Sequence, residues 1–129
     1  MRDLRVLVVE DEADTRDLVR RILESHGAKV ATAIDVNDAL AKLETSTPDI
    51  LVSDIGLPDF DGYELMRRIR AGETAASRGL PAIALTAFAR SEERTRALRA
   101  GYQVHVVKPV EPAELIATVA SLMELKRRS

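Results

Sequence analysis

Residues 5–11 read RVLVVED, a run of aliphatic residues from Val6 to Val9 that stops on two acids. Similar short runs rich in β-branched residues recur at 29–33, 50–53, 81–85 and 104–107, which predicts five strands. Four of the five are apolar without alternation, the pattern of a parallel sheet covered on both faces. Segments of helical period lie between them: Leu18, Val19, Ile22 and Leu23; Val36, Ala39, Leu40 and Leu43; Leu65, Met66 and Ile69; and finally Leu115, Ile116, Val119, Leu122 and Met123. Residues 91–100 form a more solvated helix, offering Ala97 and Leu98 against Arg90, Arg94, Arg96 and Arg99.

The punctuation agrees with this alternation. Asp61 followed by Glu64 reads as a capping box, Pro112 suits a first helical turn, and Gly27 and Gly101 stand where helix C-caps belong. The segment 71–79 reads as a surface connection. Repeated strand–helix units over 129 residues predict an α/β protein with a single doubly wound parallel sheet, right-handed crossovers and helices on both faces. One domain is expected over 1–129, with its core at about 4–125.

Composition narrows the function classes. Nineteen Lys and Arg against 21 Asp and Glu give a formal charge of −2, without the basic excess that direct nucleic-acid binding requires. Only Phe60, Tyr63, Phe88 and Tyr102 are aromatic, too few for base stacking. Cysteine is absent, so disulfides and thiolate metal sites are excluded. The first residues do not form a signal peptide, and no apolar stretch reaches membrane length. The expectation is a cytoplasmic protein with no membrane contact.

Each apolar run ends on a reactive group: Glu10 and Asp11 after the first, Asp54 at the third, Thr86 at the fourth, Lys108 before Pro109 at the fifth. In a parallel sheet these ends share one rim, where ligands bind. Singly, an acid after a strand commonly begins a turn or caps a helix. Together, three carboxylates call for a cation, since unit charges 4 Å apart interact by about 4 kcal/mol at an effective dielectric of 20. Few oxygen ligands suit Mg²⁺, which keeps waters and accepts phosphate oxygens. Glu10 and Asp11 would hold the metal, and Asp54 would be both ligand and nucleophile toward phosphorus. Lys108 would neutralise the transferring group, and the Thr86 hydroxyl would bond to it once it is attached, a switch of the population-shift kind.

The motifs VLVVEDE (6–12), SDIGLPDFDGYEL (53–65), ALTA (84–87) and VKPV (107–110) resemble those of response regulator receiver domains, over nearly the whole chain and in family order. The resemblance implies a flavodoxin-like (βα)5 sheet of strand order 2-1-3-4-5. It implies Asp54 as phosphoacceptor, Thr86 and Lys108 as its partners, and Mg²⁺, or Mn²⁺ in its place, on Glu10, Asp11, Asp54 and the Gly56 backbone carbonyl. It further implies a histidine kinase or phosphotransfer domain as donor, an unknown downstream protein as target, and a mode of phosphorylation-dependent homodimerisation. The chain departs from the pattern at His105, where receivers often carry a switch aromatic. His105 reads as an ordinary strand residue, as a tolerated replacement, or as a pH-sensitive switch. The stretch AGYQVHVVKPVEPAEL (100–115) resembles receivers fused to hybrid sensor kinases; a stand-alone regulator fits equally.

Three other chemistries fail on single features. A flavin-binding module needs a Gly- or Ser-rich loop after the first strand, where this chain has Glu10-Asp11-Glu12-Ala13-Asp14. A haloacid-dehalogenase-like phosphatase needs a second Asp where Gly56 stands, and no Walker sequence is present. A pseudo-receiver, keeping the fold as an interaction module without phosphorylation, is the remaining alternative. Elsewhere, His26 reads as a helix C-cap, Arg67, Arg68 and Arg70 as a solvated helix face, Lys126, Arg127 and Arg128 as a charged terminus, and Asp59 and Asp61 as turn and cap residues.

Overall fold

A computed structural model of the chain describes residues 2–57, 62–72, 75–87 and 90–128. The strands are β1 (Arg5–Val9), β2 (Lys29–Ala33), β3 (Ile50–Asp54), β4 (Ala82–Thr86) and β5 (Val104–Val107). All pairings are parallel, in the order β2-β1-β3-β4-β5. Helices α1 (Ala13–Glu24), α2 (Val36–Ser46), α3 (Gly62–Arg70) and α5 (Ser91–Ala100) fill the four crossovers, with a single helical turn, α4 (Ala75–Arg78), before β4, and α6 (Pro112–Arg128) follows β5. The predicted fold and strand order are those observed.

Strand parity explains why both faces must be covered. Along β1, Val6 and Val8 pack with Val19 and Leu23 of α1 and Leu115 and Val119 of α6, whereas Leu7 and Val9 pack with Ala39 of α2 and Leu65 and Met66 of α3. Successive strand side chains point to opposite faces, so a run apolar at every position is a two-faced core element. β2 breaks the run with Lys29 and Thr32 because it is an edge strand, with only Ala33 fully buried.

Four sequence expectations change in the structure. Leu18 and Leu98 satisfy the helical period but are 43% and 50% exposed; α1 buries Val19, Ile22 and Leu23, and α5 buries Ala97. The connection 71–79 contains the turn α4, held where Ser77 Oγ donates to the Ile69 carbonyl at 3.2 Å. Gly101 caps α5 at φ 120° as expected, but the C-cap of α1 is Ser25, and Gly27, at φ 91°, lies two residues beyond it. Arg70 is the fourth: Arg67 and Arg68 are exposed and pair with Glu64, but Arg70 turns inward. Its guanidinium donates to the carbonyls of Gly101, Leu80 and Arg78, at 2.5, 2.6 and 2.8 Å, and to Gln103 Oε1 at 3.3 Å. Burial, partly offset by Tyr102, holds it below the ordinary guanidinium value.

His26 lies one residue past the Ser25 cap, its Nδ1 3.1 Å from the Ile22 carbonyl at the end of α1. Pro112 is the first residue of α6. The capping role given to Asp61 and the turn role given to Asp59, like Phe60 and Phe88, lie outside the described residues.

Candidate functional site

The site is assembled by register. Val9 is level with Ser53, so Glu10 and Asp54 emerge side by side. Asp54 is level with Leu85, and Thr86 with Val107, so Thr86 ends β4 one step beyond Asp54 and Lys108 follows directly on β5. Backbone hydrogen bonds continue past the strands: Glu10 N–H donates to the Ala33 carbonyl at 3.0 Å, Ile55 N–H to Leu85 at 3.1 Å and Lys108 N–H to Thr86 at 2.7 Å. These bonds hold the rim residues as extensions of the sheet rather than as loose loop positions.

Glu10 is fully buried, and Asp54 and Thr86 are 7% and 3% exposed; Asp11 is exposed. Glu10, Asp11 and Asp54 each bring a carboxylate oxygen to within 4.8 Å of the other two. Lys108 Nζ lies 2.7 Å from Glu10 Oε1 and 3.2 Å from Asp54 Oδ2. Oδ1 of Asp54 accepts from the Gly56 N–H at 2.9 Å, which places Gly56 at the cluster. The peptide bond between Lys108 and Pro109 is cis.

One ammonium does not balance three carboxylates, and the imbalance shows at Glu10. Burial pushes Glu10 up to about 7, with Asp54 adding to the rise and Lys108 and the Glu12 N–H opposing it. Burial also works against the charge of Lys108, but the pull of Glu10 and Asp54 outweighs it and holds the ammonium above its ordinary value. Lys108 Nζ, 2.7 Å from Glu10 Oε1 and 3.2 Å from Asp54 Oδ2, is shared between two carboxylates. Buried carboxylates short of positive charge are costly; a hard cation among these oxygens would balance them. The donor set fits Mg²⁺, which takes carboxylate oxygens at a few positions and keeps the others for water or phosphate.

The sequence reading missed one residue of this corner. Arg16, in the second turn of α1, donates through Nη1 to the Glu10 carbonyl at 2.9 Å and the Asp11 carbonyl at 3.3 Å. It fixes the backbone of the acidic pair and adds a positive charge behind it. Hydrophobic periodicity carries no mark of this role, because Arg16 is simply one of the polar residues of α1.

His105 does not join the cluster. It pairs with Ala84, two residues short of the rim row of Thr86. Burial and Arg94 of α5 hold its imidazole below the ordinary value, with Glu114 of α6 opposing them. Tyr63, at the start of α3, also reaches α5: its hydroxyl donates to Glu93 Oε2 at 2.7 Å, and Arg96 lies over its ring, 4.2 Å from the centroid.

A doubly wound parallel sheet thus carries an acidic triad and a lysine at its carboxyl rim, where sheets of this kind bind ligands. The sequence model of the response regulator receiver domain matches residues 6–120, and the chain belongs to that family. A 14.6 kDa protein from the sodA1 3′ region of Leptolyngbya boryana is 50% identical over 114 residues, 88% of this chain and 86% of that one. The phosphate regulon transcriptional regulatory protein PhoB of Escherichia coli is 34% identical over 92% of this chain, which spans 51% of the length of PhoB. Among solved structures, the chemotaxis response regulator CheY4 of Vibrio cholerae superposes with a TM-score of 0.86 at 28% identity, covering 93% of this chain and 98% of its own. Receiver domains are signalling modules that take a phosphoryl group from histidine kinases. Among the described residues, no helix is long and apolar enough to cross a membrane.

Proposed function

We propose that this chain is an active receiver, accepting a phosphoryl group on Asp54 from the phosphohistidine of a histidine kinase or phosphotransfer domain. The observation that carries the reading is the Lys108 ammonium set between Glu10 and Asp54 at the rim where three carboxylates converge. A carboxylate oxygen of Asp54 attacks phosphorus, the new O–P bond forms as the P–N bond breaks, and the imidazole of the donor keeps the electron pair and takes a proton from solvent. The product is a mixed anhydride, which water returns to carboxylate and inorganic phosphate.

Catalysis of such a transfer is mostly positioning and charge stabilisation. Glu10, Asp11, Asp54 and the Gly56 carbonyl would hold Mg²⁺, with Mn²⁺ as a substitute; when bound, the ion supplies positive charge to the phosphoryl oxygens. Lys108 gives a second positive charge beside Glu10 and Asp54. Thr86, buried at the end of β4, offers a hydroxyl to the attached phosphoryl group and so ties the group to the segment that leads into α5. Residues 1–129 act as one receiver unit in the cytoplasm, signalling to a downstream protein rather than binding nucleic acid directly.

The test is intact-protein mass spectrometry after incubation with Mg²⁺ and acetyl phosphate, comparing the parent with Asp54→Asn. The expected result is a single hydroxylamine-labile phosphoryl adduct on the parent and none on the variant. An unmodified parent, both here and with phosphohistidine donors, would leave a pseudo-receiver that acts only through its surface. An adduct persisting on Asp54→Asn would move the acceptor to another residue.

A further inference from the structure

The active rim carries a tie that the phosphoryl chemistry above does not use. Tyr102, in the turn between α5 and β5, is 2% exposed, and its hydroxyl donates to the Gly62 carbonyl at 2.7 Å across 40 residues of sequence. Gly62 is the first residue of α3, and its own N–H donates to the Ile55 carbonyl at 3.0 Å. The residue next to Ile55 is Gly56, whose N–H holds Asp54 Oδ1. Both polar groups of Gly62 are therefore engaged, one to the end of the phosphoacceptor strand and the other to Tyr102.

The approach is too close for any other residue. A Cβ on Gly62 would fall 2.5 Å from the Asp54 carbonyl oxygen and 2.6 Å from the Ile55 Cα, and 3.1 Å from the Tyr102 hydroxyl. These backbone neighbours cannot yield without moving Asp54 itself. The Tyr102 hydroxyl thus bonds to a residue whose contact with the β3 end has no slack, and Arg70, which donates to the Gly101 carbonyl, fixes the turn from which Tyr102 projects.

We infer that Tyr102 is a positioning residue for the metal site: its hydroxyl, through Gly62 and Ile55, sets where the Gly56 backbone stands relative to Asp54. The inference rests on the receiver chemistry proposed above. It assigns to one buried hydroxyl, outside the set of Glu10, Asp11, Asp54, Thr86 and Lys108, part of the affinity for the divalent cation.

Tyr102→Phe keeps the ring in the core and removes only the hydroxyl and its bond to the Gly62 carbonyl, which is left with the helical N–H alone. Two readings are taken on the full chain: Mg²⁺ affinity by calorimetry, and amide ¹H–¹⁵N shifts of the metal-free protein. Tyr102→Phe is expected to weaken Mg²⁺ by about five-fold, the scale of one net hydrogen bond. It is also expected to move the Gly62 and Gly56 amides before any metal is added, while labelling by acetyl phosphate at saturating Mg²⁺ stays near the parent rate. Tyr63→Phe, which removes a hydroxyl from the same end of α3 but one directed to Glu93, is expected to leave the affinity unchanged. Parent-like affinity in Tyr102→Phe, or an unmoved Gly56 amide, overturns the inference. So does an equal loss in both variants, which would assign the effect to the α3 terminus at large. A parent that binds no Mg²⁺ overturns the receiver chemistry and this inference together, whereas a parent that binds it with Tyr102→Phe indifferent overturns this inference alone.

Discussion

Lys108 Nζ reaches Glu10 Oε1 at 2.7 Å, although the strands that deliver them, β5 and β1, are separated by β3 and β4. Three interstrand spacings, about 14 Å, are spanned by two side chains meeting over the strand that carries Asp54. The pair therefore closes the acidic rim from one side to the other, and Lys108 occupies space and charge that a metal ion would also claim.

That competition gives a prediction with opposite signs for binding and for chemistry. Lys108→Ala is expected to bind Mg²⁺ more tightly, by about ten-fold, because the cluster loses its neutralising ammonium. Its phosphorylation by acetyl phosphate at saturating Mg²⁺ is expected to be slower but not absent. Calorimetry and a labelling time course check the two halves; weaker Mg²⁺ binding in the variant would show that Lys108 organises the carboxylates more than it opposes the metal.

Glu10 predicts a pH dependence whose sign can be worked out. Its carboxyl is raised from an ordinary value of 4.5 to about 7 in the fold, so the folded state holds this proton more tightly than the unfolded state does. Between those two values the folded chain binds more protons, and stability of the metal-free protein falls as pH rises, by on the order of 3 kcal/mol. The contribution is present in full below pH 4.5 and is lost above about 7. Glu10→Gln is expected to flatten this part of the urea-stability profile, and Mg²⁺ is expected to restore stability above pH 7 in the parent, where the cation replaces the proton. An unchanged slope in Glu10→Gln would assign the dependence to other carboxylates.

The architecture was legible because β1, β3 and β4 advertise burial on both faces, and a strand that ends on Glu10 or Asp54 marks its own position on the rim. Leu18 and Leu98 misled for a physical reason. The apolar stripe of a helix is wider than its contact with the sheet, and periodicity does not tell the centre of the stripe from its border. Arg16 and Arg70 were invisible for another: both act by donating to backbone carbonyls, and a carbonyl leaves no trace in the sequence. Tyr102 was noted only as one of four aromatics, since its partner, the Gly62 carbonyl, exists only once α3 has docked.

Arg70 carries a stability prediction of its own. Arg70→Ala removes donors from the Gly101, Leu80 and Arg78 carbonyls at once, and the expected loss is about 2–3 kcal/mol in chemical denaturation. Arg70→Lys is expected to recover little of it, because a single ammonium cannot match a fork directed to acceptors on both flanks. Equal stability of the Lys variant and the parent would mean that charge, not the fork, holds the turn.

Thr86 separates accepting the phosphoryl group from responding to it. It is buried at the end of β4, its carbonyl is already bonded to the Lys108 N–H, and the chain leads from it toward α5. Thr86→Ala leaves Asp54, Lys108 and the carboxylates in place, so acetyl phosphate is expected to label the variant. The hydroxyl that would hold the β4 end to the phosphoryl group is gone, so the amide shifts that phosphorylation produces in α5 and at His105 in the parent are expected to shrink toward the unphosphorylated values. Thr86→Ser, which keeps the donor and drops a methyl group, is expected to retain most of them. Full parent-like shifts in phosphorylated Thr86→Ala would remove the hydroxyl from the switch and leave the charge of the phosphoryl group to act on α5 by itself.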